Sequence, residues 1–296
     1  MRKCMWWLGL SMALAMGVAS AGDGRKTGSL PLEKVLTTTV DAWIVIDEQG
    51  SPTDFGVDTK VPEALAANLD RAARKWKFRP VQVDGAARKV RTPVRISLNG
   101  RQQGKDYLIN IENVVFPANE SAGASARPAG VLLKARSLPP PSYPQEMQRR
   151  GINARVLVAL HLDAEGNVID AMAVQSTLLH VSQAQPDPTT RRMLVAFERS
   201  AVAGARRWKI DVDARGRVPS ALELTAYVPV SYTMMGQVAA VNGLWRHETR
   251  NELKGIGWLP KQEETQRIGV SDLLDGEMYP VASEFRFIDD VRGQAL

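Results

Sequence analysis

Three histidines, one cysteine and a scatter of serines and carboxylates are the side chains with which this 296-residue chain could do metal, covalent or proton-transfer chemistry. A metal site needs soft or imidazole donors at ligand spacing. His161, His180 and His247 stand far apart, with no His-Glu-x-x-His run and no cysteine pair. A nucleophilic serine needs a strained elbow and a base; Ser176 follows a strand-like run but lacks the Gly-x-Ser-x-Gly turn. His161 faces the side of its strand opposite Leu160 and Leu162, and the matching residue elsewhere in the chain is Val45, so it reads as an exposed strand histidine. Asp47 and Asp163 are explained by turn chemistry, and no glycine-rich loop fits a phosphate. The inventory argues against an enzyme, and neither a cofactor nor a metal is expected.

What remains is the hydrogen-bonding capacity of the backbone, and two prolines point to where it is free. Pro93 and Pro229 each lie inside a strand-like run, Pro93-Val94-Arg95-Ile96 and Pro229-Val230-Ser231-Tyr232. A proline has no N–H to give to a neighbour, so it belongs on an edge strand or at a bulge. Both runs are therefore expected to lie, at least in part, at an open sheet edge. Such an edge can accept an extended peptide as an added strand, or it can simply be blunted by its proline against aggregation.

The two prolines occupy equivalent places because the chain repeats itself. Ile44-Val45-Ile46-Asp47-Glu48-Gln49-Gly50 is answered by Leu160-His161-Leu162-Asp163-Ala164-Glu165-Gly166, and Ala73-Arg74-Lys75-Trp76-Lys77-Phe78 by Ala205-Arg206-Arg207-Trp208-Lys209-Ile210. The order is kept, and the offset drifts from 116 to 136 through loop insertions. Each copy reads as strand, Gly-closed turn, strand, helix, strand. Val40 to Ile46 alternates, a short strand over 53–57 returns, and Leu65, Leu69, Ala72 and Trp76 make one helical face. In the second copy Val156 to Leu162 alternates, Val168 to Val174 returns, and Phe197, Ala201, Gly204 and Trp208 repeat the helical face. The third strands are expected over 90–98 and 221–234. Trp76 and Trp208 are read as plugs between helix end and sheet.

The ends and the composition restrict the setting. Arg2 and Lys3, an apolar run from Met5 to Val18 and then Ala19-Ser20-Ala21 have the form of a secretory signal peptide, with a mature chain starting at Gly22. An uncleaved anchor is the rival reading. The single cysteine, Cys4, lies in that segment, so the mature chain would hold no thiol. Its loss with Arg2 and Lys3 takes the net charge from +6 to +4, spread along the chain instead of gathered in the stripe that nucleic acid requires. No nucleic-acid partner is expected.

The second copy resembles the TonB C-terminal domain family. The resemblance is carried over about 139–234 by Pro141-Ser142-Tyr143-Pro144, Gly151, Val156 to Leu162, Asp163-x-x-Gly166, Val168, Ser176, Ala205-x-x-Trp208 and Pro229-Val230. The first copy, over 37–99, resembles a diverged version without the Tyr-Pro entry helix. The resemblance implies an α+β fold: two small modules, each an antiparallel sheet of about three strands packed on one or two helices. It also implies strand pairing with outer-membrane transporters and energy transduction through an inner-membrane anchor. This chain departs from that pattern. Its N-terminus looks cleavable, it has Ser11 but no histidine in the apolar run, and it lacks the long Pro-Glu/Pro-Lys spacer.

The expected organisation is a signal peptide over 1–21, modules over 37–99 and 139–234, a linker over 100–138 in which Tyr107 to Phe116 forms a short strand, and an appended segment over 235–296 that packs on the second module. The expected function is periplasmic protein binding by edge-strand pairing with an envelope or transporter partner. The contact is placed on Glu223, Thr225, Tyr227, Pro229, Ser231 and Thr233, with Tyr143 and Pro144 shaping the adjoining surface. A membrane-anchored energy transducer for transport and a structural envelope scaffold, its edges capped internally, are the alternatives; an oligomer is compatible with each.

Overall fold

Branched and small apolar residues dominate the strands of both repeats, and in Val156–Leu162 alternate residues serve two different cores, one on each face of the sheet. The computed structural model describes residues 32–83, 85–117, 131–179, 188–234, 242–260, 268–274, 278–282 and 285–296. The first repeat forms β1 (Leu32–Ile46), β2 (Pro52–Val57), α1 (Glu63–Ala73), the short β3 (Gln82–Val83) and β4 (Ala86–Ala87), and β5 (Val90–Gln103). Then come β6 (Asp106–Val115) and β7 (Leu132–Ser137). The second repeat forms α2 (Gln145–Arg149), β8 (Asn153–Leu162), β9 (Val168–Leu179), α3 (Pro188–Ala205), β10 (Lys209–Asp213) and β11 (Thr225–Tyr232). The final segment adds β12 (Arg246–Asn251) and β13 (Tyr279–Pro280).

The expectation of two small α+β modules, each with its own sheet of about three strands, is overturned. Both repeats lie in one nine-stranded antiparallel sheet of order β13-β11-β8-β9-β12-β1-β5-β6, with β2 also pairing β1. The order β2-β1-β5 of the first repeat matches β9-β8-β11 of the second. What fuses them is β12, which pairs with Leu32–Thr37 of β1 on one side and with Thr177–Leu179 of β9 on the other. The hydrogen-bond ladder thus runs unbroken across what reads in the sequence as a module boundary. Residues 100–138, expected as a linker, carry the end of β5, all of β6 and β7. The Ser121 to Ala126 stretch lies outside the described residues.

Each repeat keeps its own helix-side core. In the first, Val40, Ala42, Ile44 and Ile46 of β1 and Val94, Ile96 and Leu98 of β5 pack against Leu65, Leu69 and Ala72 of α1. In the second, Val156, Val158, Leu160 and Leu162 of β8 pack against Leu194, Phe197 and Ala201 of α3. Trp76 and Trp208 are each 2% exposed and sit in these cores as plugs. The final segment packs on both repeats. Phe285 stacks on Phe116 at 4.9 Å, and Phe287 lies 4.6 Å from Phe78 in the first core. Ile256, Leu259, Ile268, Val270 and Leu273 cover Leu157, Ala159, Val174 and Tyr227 on the other face of the second repeat.

The repeated turn shows why glycine closes it. Gly50 and Gly166 both have φ +81°, and each carbonyl accepts from the segment that follows the helix, Phe78 N–H at 2.9 Å and Ile210 N–H at 3.0 Å. A Cβ would lie 2.0 Å from Phe78 O at Gly50 and 1.7 Å from Ile210 O at Gly166, against backbone that cannot swing aside. Gly85 has φ +78° but open space around it. Alanine at Gly85 is therefore expected to cost only the backbone penalty of about 1 kcal/mol, while Gly50→Ala and Gly166→Ala each cost roughly 3 kcal/mol or more. Chemical denaturation of the three variants measures this, and equal losses would contradict the close-approach account.

Candidate protein-interaction edge and the polar seam

The expected contact strand, β11, pairs with β8 from Thr225↔His161 to Tyr232↔Ala154. Leu162 N–H donates to Leu224 O, and Val281 N–H donates to Thr225 O at 2.9 Å. By strand alternation, the even residues of β11 direct their backbone groups to β8 and the odd ones direct theirs outward. The outward side is already partly filled. Tyr279 stands opposite Tyr227 and Pro280 opposite Ala226, in an antiparallel ladder of two residue pairs. Pro229 then lies at the next outward position, where it has no N–H to donate. The equivalent strand β5 is filled more fully, because β6 pairs with it from Arg95 to Gln103. Pro93 lies just outside that range. The third strands are thus not open along their length.

The side chains assigned to the contact divide between structural and accessible. Thr225 is fully buried, with its hydroxyl donating to Ala221 O at 2.6 Å and accepting from Trp258 Nε1 at 3.0 Å. Tyr227 and Pro229 are buried, Ser231 is half-buried and accepts from Arg155 Nε at 3.1 Å, and Thr233 is exposed just past the strand end. Glu223 closes a turn, accepting from the Ser220 backbone and hydroxyl at 3.0 Å each and from Arg217; these bonds lower its pKa. Tyr143 donates to Ile152 O at 2.7 Å and sets its ring edge-on to Phe197 and Tyr232, at 5.8 and 5.5 Å. It fastens the entry segment to the module. Pro144 starts α2. Of the contact residues, Thr233 is exposed, and Ser231, Glu223, Tyr143 and Pro144 are half-buried.

The other residues weighed for chemistry also have structural partners. Ser176 is fully buried; its hydroxyl donates to Glu198 at 2.6 Å and accepts from Asn251 at 3.0 Å. Lys254 joins the same carboxylate at 3.1 Å, so this group ties the final segment to α3. His161 is half-buried, not exposed, and lies parallel to Trp258 at 5.4 Å. His247 is exposed on β12, and His180 lies outside the described residues. Among the described residues, no group of three or more His, Cys, Asp or Glu is placed to hold a metal ion.

Two edges at the start of the repeats are blunted by the same device. In β2 the Phe55 N–H turns onto Asp54 Oδ1 at 2.9 Å, and in β9 the Ala171 N–H turns onto Asp170 Oδ1 at 2.7 Å. An edge N–H satisfied by its own chain offers nothing to an incoming strand, and the aspartate adds a repelling charge. At the far end of the sheet, Leu296 N–H donates to Ile109 O at 3.0 Å and Ile111 N–H to Gln294 O at 2.9 Å, covering part of β6.

Sequence reasoning missed the most unusual group, a buried polar seam on the sheet face opposite the helices. Arg95, Arg155, Glu248, Arg250 and Asp272 are all at least nine-tenths buried. Glu112 reaches them because a bulge opposite Ser97 and Leu98 inserts it as an extra residue of β6. Arg250 pairs with Glu112, Arg246 Nε with Glu248 at 2.6 Å, and Arg95 with Asp41 at 2.7 Å. Ser271 donates to Glu248 and Asn113 to Asp272, each at 2.6 Å, so the final segment is locked to the sheet through this seam. Burial pushes the Asp272 and Glu112 carboxyls up, against the pull of Arg250.

Comparison of the chain with protein-family models, with curated proteins and with solved structures finds no match. The motifs quoted above are therefore what the resemblance to the TonB C-terminal domain rests on.

Removing one member of a buried ion pair leaves its partner charged in a dry site, at a cost of about 3 kcal/mol or more. Arg250→Met is expected to lose that much, and Arg250→Met with Glu112→Leu to recover at least half, as read by urea unfolding. Alkali tests the aromatic core separately. Burial pushes the Tyr232 hydroxyl up to about 12. An unfolded tyrosine ionises near 10, so this contribution is intact below about pH 10 and is lost as the pH rises towards 12. Phenolate absorbance of this tyrosine is expected to grow only together with the loss of near-ultraviolet circular dichroism; independent ionisation near pH 10 would contradict its burial.

Proposed function

We infer that this chain is an exported, non-catalytic protein-binding protein of the cell envelope that recognises an extended segment along the edge of β11. One observation carries this reading: the edge already holds an extended segment in antiparallel register, Tyr279–Val281 against Thr225–Tyr227. Backbone pairing of this kind supplies affinity without regard to sequence, and alternate side chains supply selection. The resemblance of the second repeat to TonB C-terminal domains, which pair with transporter segments by adding a strand, agrees with recognition by strand addition. Among the described residues no helix is long and apolar enough to cross a membrane, and the apolar run Met5 to Val18 lies outside them. Periplasmic export thus rests on the leader pattern.

A second reading, a structural envelope scaffold, draws support from the blunting of β2 and β9 by Asp54 and Asp170 and from the cover over β6. In that case the sheet edges are finished surfaces. Two measurements on the full chain in its native envelope separate the readings. Intact mass is expected to show a species starting at Gly22, whereas retention of Met5 to Val18 in the membrane fraction would favour an anchored transducer. Photo-crosslinking groups at Ser231 and Thr233 are expected to label one and the same protein, and a group at Glu63 on the exposed side of α1 is not. Equal labelling at the three sites, or none, would leave the scaffold.

A further inference from the structure

The segment on the β11 edge has features that no mere tail contact requires. It is short, with two residue pairs and one further bond from Val281 N–H to Thr225 O at 2.9 Å. It is nonetheless read by side chains from both repeats. Tyr279 is 3% exposed and packs in the same apolar cluster as Tyr227, Leu157 and Ala159 of the second repeat. Its hydroxyl accepts from Arg95 of the first repeat at 3.3 Å. Val281, two residues on, is 6% exposed in the same cluster. Pro280 between them stands at a position whose backbone N–H would point away from β11, so it costs the ladder nothing and denies a further strand a donor.

We propose that Tyr279–Val281 is a resident strand in the partner's place, and that the partner is an extended peptide with a tyrosine facing Tyr227 and an aliphatic residue two positions later. This rests on the reading of β11 as a recognition edge. The occupant defines what the edge selects: an aromatic ring against Tyr227, a phenol within reach of the Arg95 guanidinium, and a branched side chain beside Leu157. Pro229 denies the ladder a donor at its next outward position, so selection falls on these few side chains more than on ladder length. An occupant on the same chain is presented at an effective concentration on the order of millimolar. A partner of ordinary affinity must outcompete it, which raises its apparent Kd by the ratio of closed to open edge. The protein therefore carries an exported binding edge that is quiet until a well-matched segment arrives.

The test uses a labelled synthetic peptide copying residues 276–284, titrated into the full chain and into two full-length variants. Val281→Pro removes the N–H given to Thr225, and Tyr279→Ala removes the anchoring ring. The peptide is expected to bind both variants at least tenfold more tightly than the unaltered chain. A peptide with phenylalanine in place of the tyrosine is expected to bind the variants roughly tenfold more weakly, through loss of the charged hydrogen bond to Arg95. Equal affinity for all three proteins overturns the resident strand while leaving β11 as a binding edge; binding to none overturns both. Equal affinity of the phenylalanine peptide overturns the tyrosine preference. Hydrogen exchange on the unaltered chain gives an answer that does not depend on the variants folding. The Val281 amide is expected to exchange at least a hundredfold faster than that of Val228 in the β8–β11 ladder, and equal protection would mean that the segment leaves only when the whole sheet unfolds.

Discussion

A six-residue strand of almost wholly polar sequence, Arg246-His247-Glu248-Thr249-Arg250-Asn251, holds the middle of the sheet, and the rest of the structure depends on how its charges are neutralised. Strand β12 pairs on both sides, so its backbone is satisfied, but its side chains on the face away from the helices are buried with their charge. Burying an ionised group without a partner is costly enough that the fold must supply one for each. Glu112 answers Arg250 from a bulge in β6, Arg246 and Glu248 answer each other, and Ser271 closes on Glu248 from the final segment. The join between the repeats is thus electrostatic as well as hydrogen-bonded. It favours one register, because a shift of one residue in β12 would turn both arginines to the opposite face.

The repeats themselves are built to need such a join. Each contributes three strands to the shared sheet and packs one helix on them, and three strands with a single covered face make a marginal domain. Their second strands carry the same edge guard, Asp54 onto Phe55 and Asp170 onto Ala171, at the same offset of 116 that relates Asp47 to Asp163. The repeat therefore preserves a way of discouraging pairing at the β2 and β9 edges as well as a hydrophobic pattern. Beyond the guarded stretch of β9, residues Thr177–Leu179 are left for β12, and that is where the two halves become one sheet.

What was legible in the sequence is what short-range pattern controls. The turn glycines, the alternation in β8, the helical faces of α1 and α3 and the plugging tryptophans all follow from periodicity and from steric limits on φ. The fused sheet was not legible, because its central strand, Arg246 to Asn251, has no hydrophobic signature. Nor could pattern find Glu112, whose burial depends on a one-residue bulge, or the pairing of Tyr279 with Tyr227 across more than fifty residues. The prolines at Pro93 and Pro229 were read as marks of an open edge, yet each is paired on one side, with Trp43 and with Leu157. Their prediction of open third strands went too far, since a proline forbids one hydrogen bond and says nothing of the rest of the strand. Tyr143 and Thr225 illustrate the same limit at the proposed contact. Residue type and position suggested accessible side chains, whereas packing made both of them part of the core's fastening.

The two halves differ most in how their third strands are closed, and the difference bears on where a partner can act. On β5 the chain lays down nine residue pairs from β6, an adjoining strand reached through a tight turn. On β11 it lays down two, from a segment far along the sequence. A local hairpin forms early and opens only with its surroundings, whereas a short, distant ladder closes at greater entropic cost and opens alone more easily. The copy whose edge is sealed lightly is also the one whose motifs resemble a strand-pairing family. In the first copy, by contrast, the edge has been given over to a permanent neighbour. The unequal closure thus leaves the third strand of one repeat paired along most of its length by a neighbouring hairpin strand, and that of the other held by a short segment brought from far along the chain.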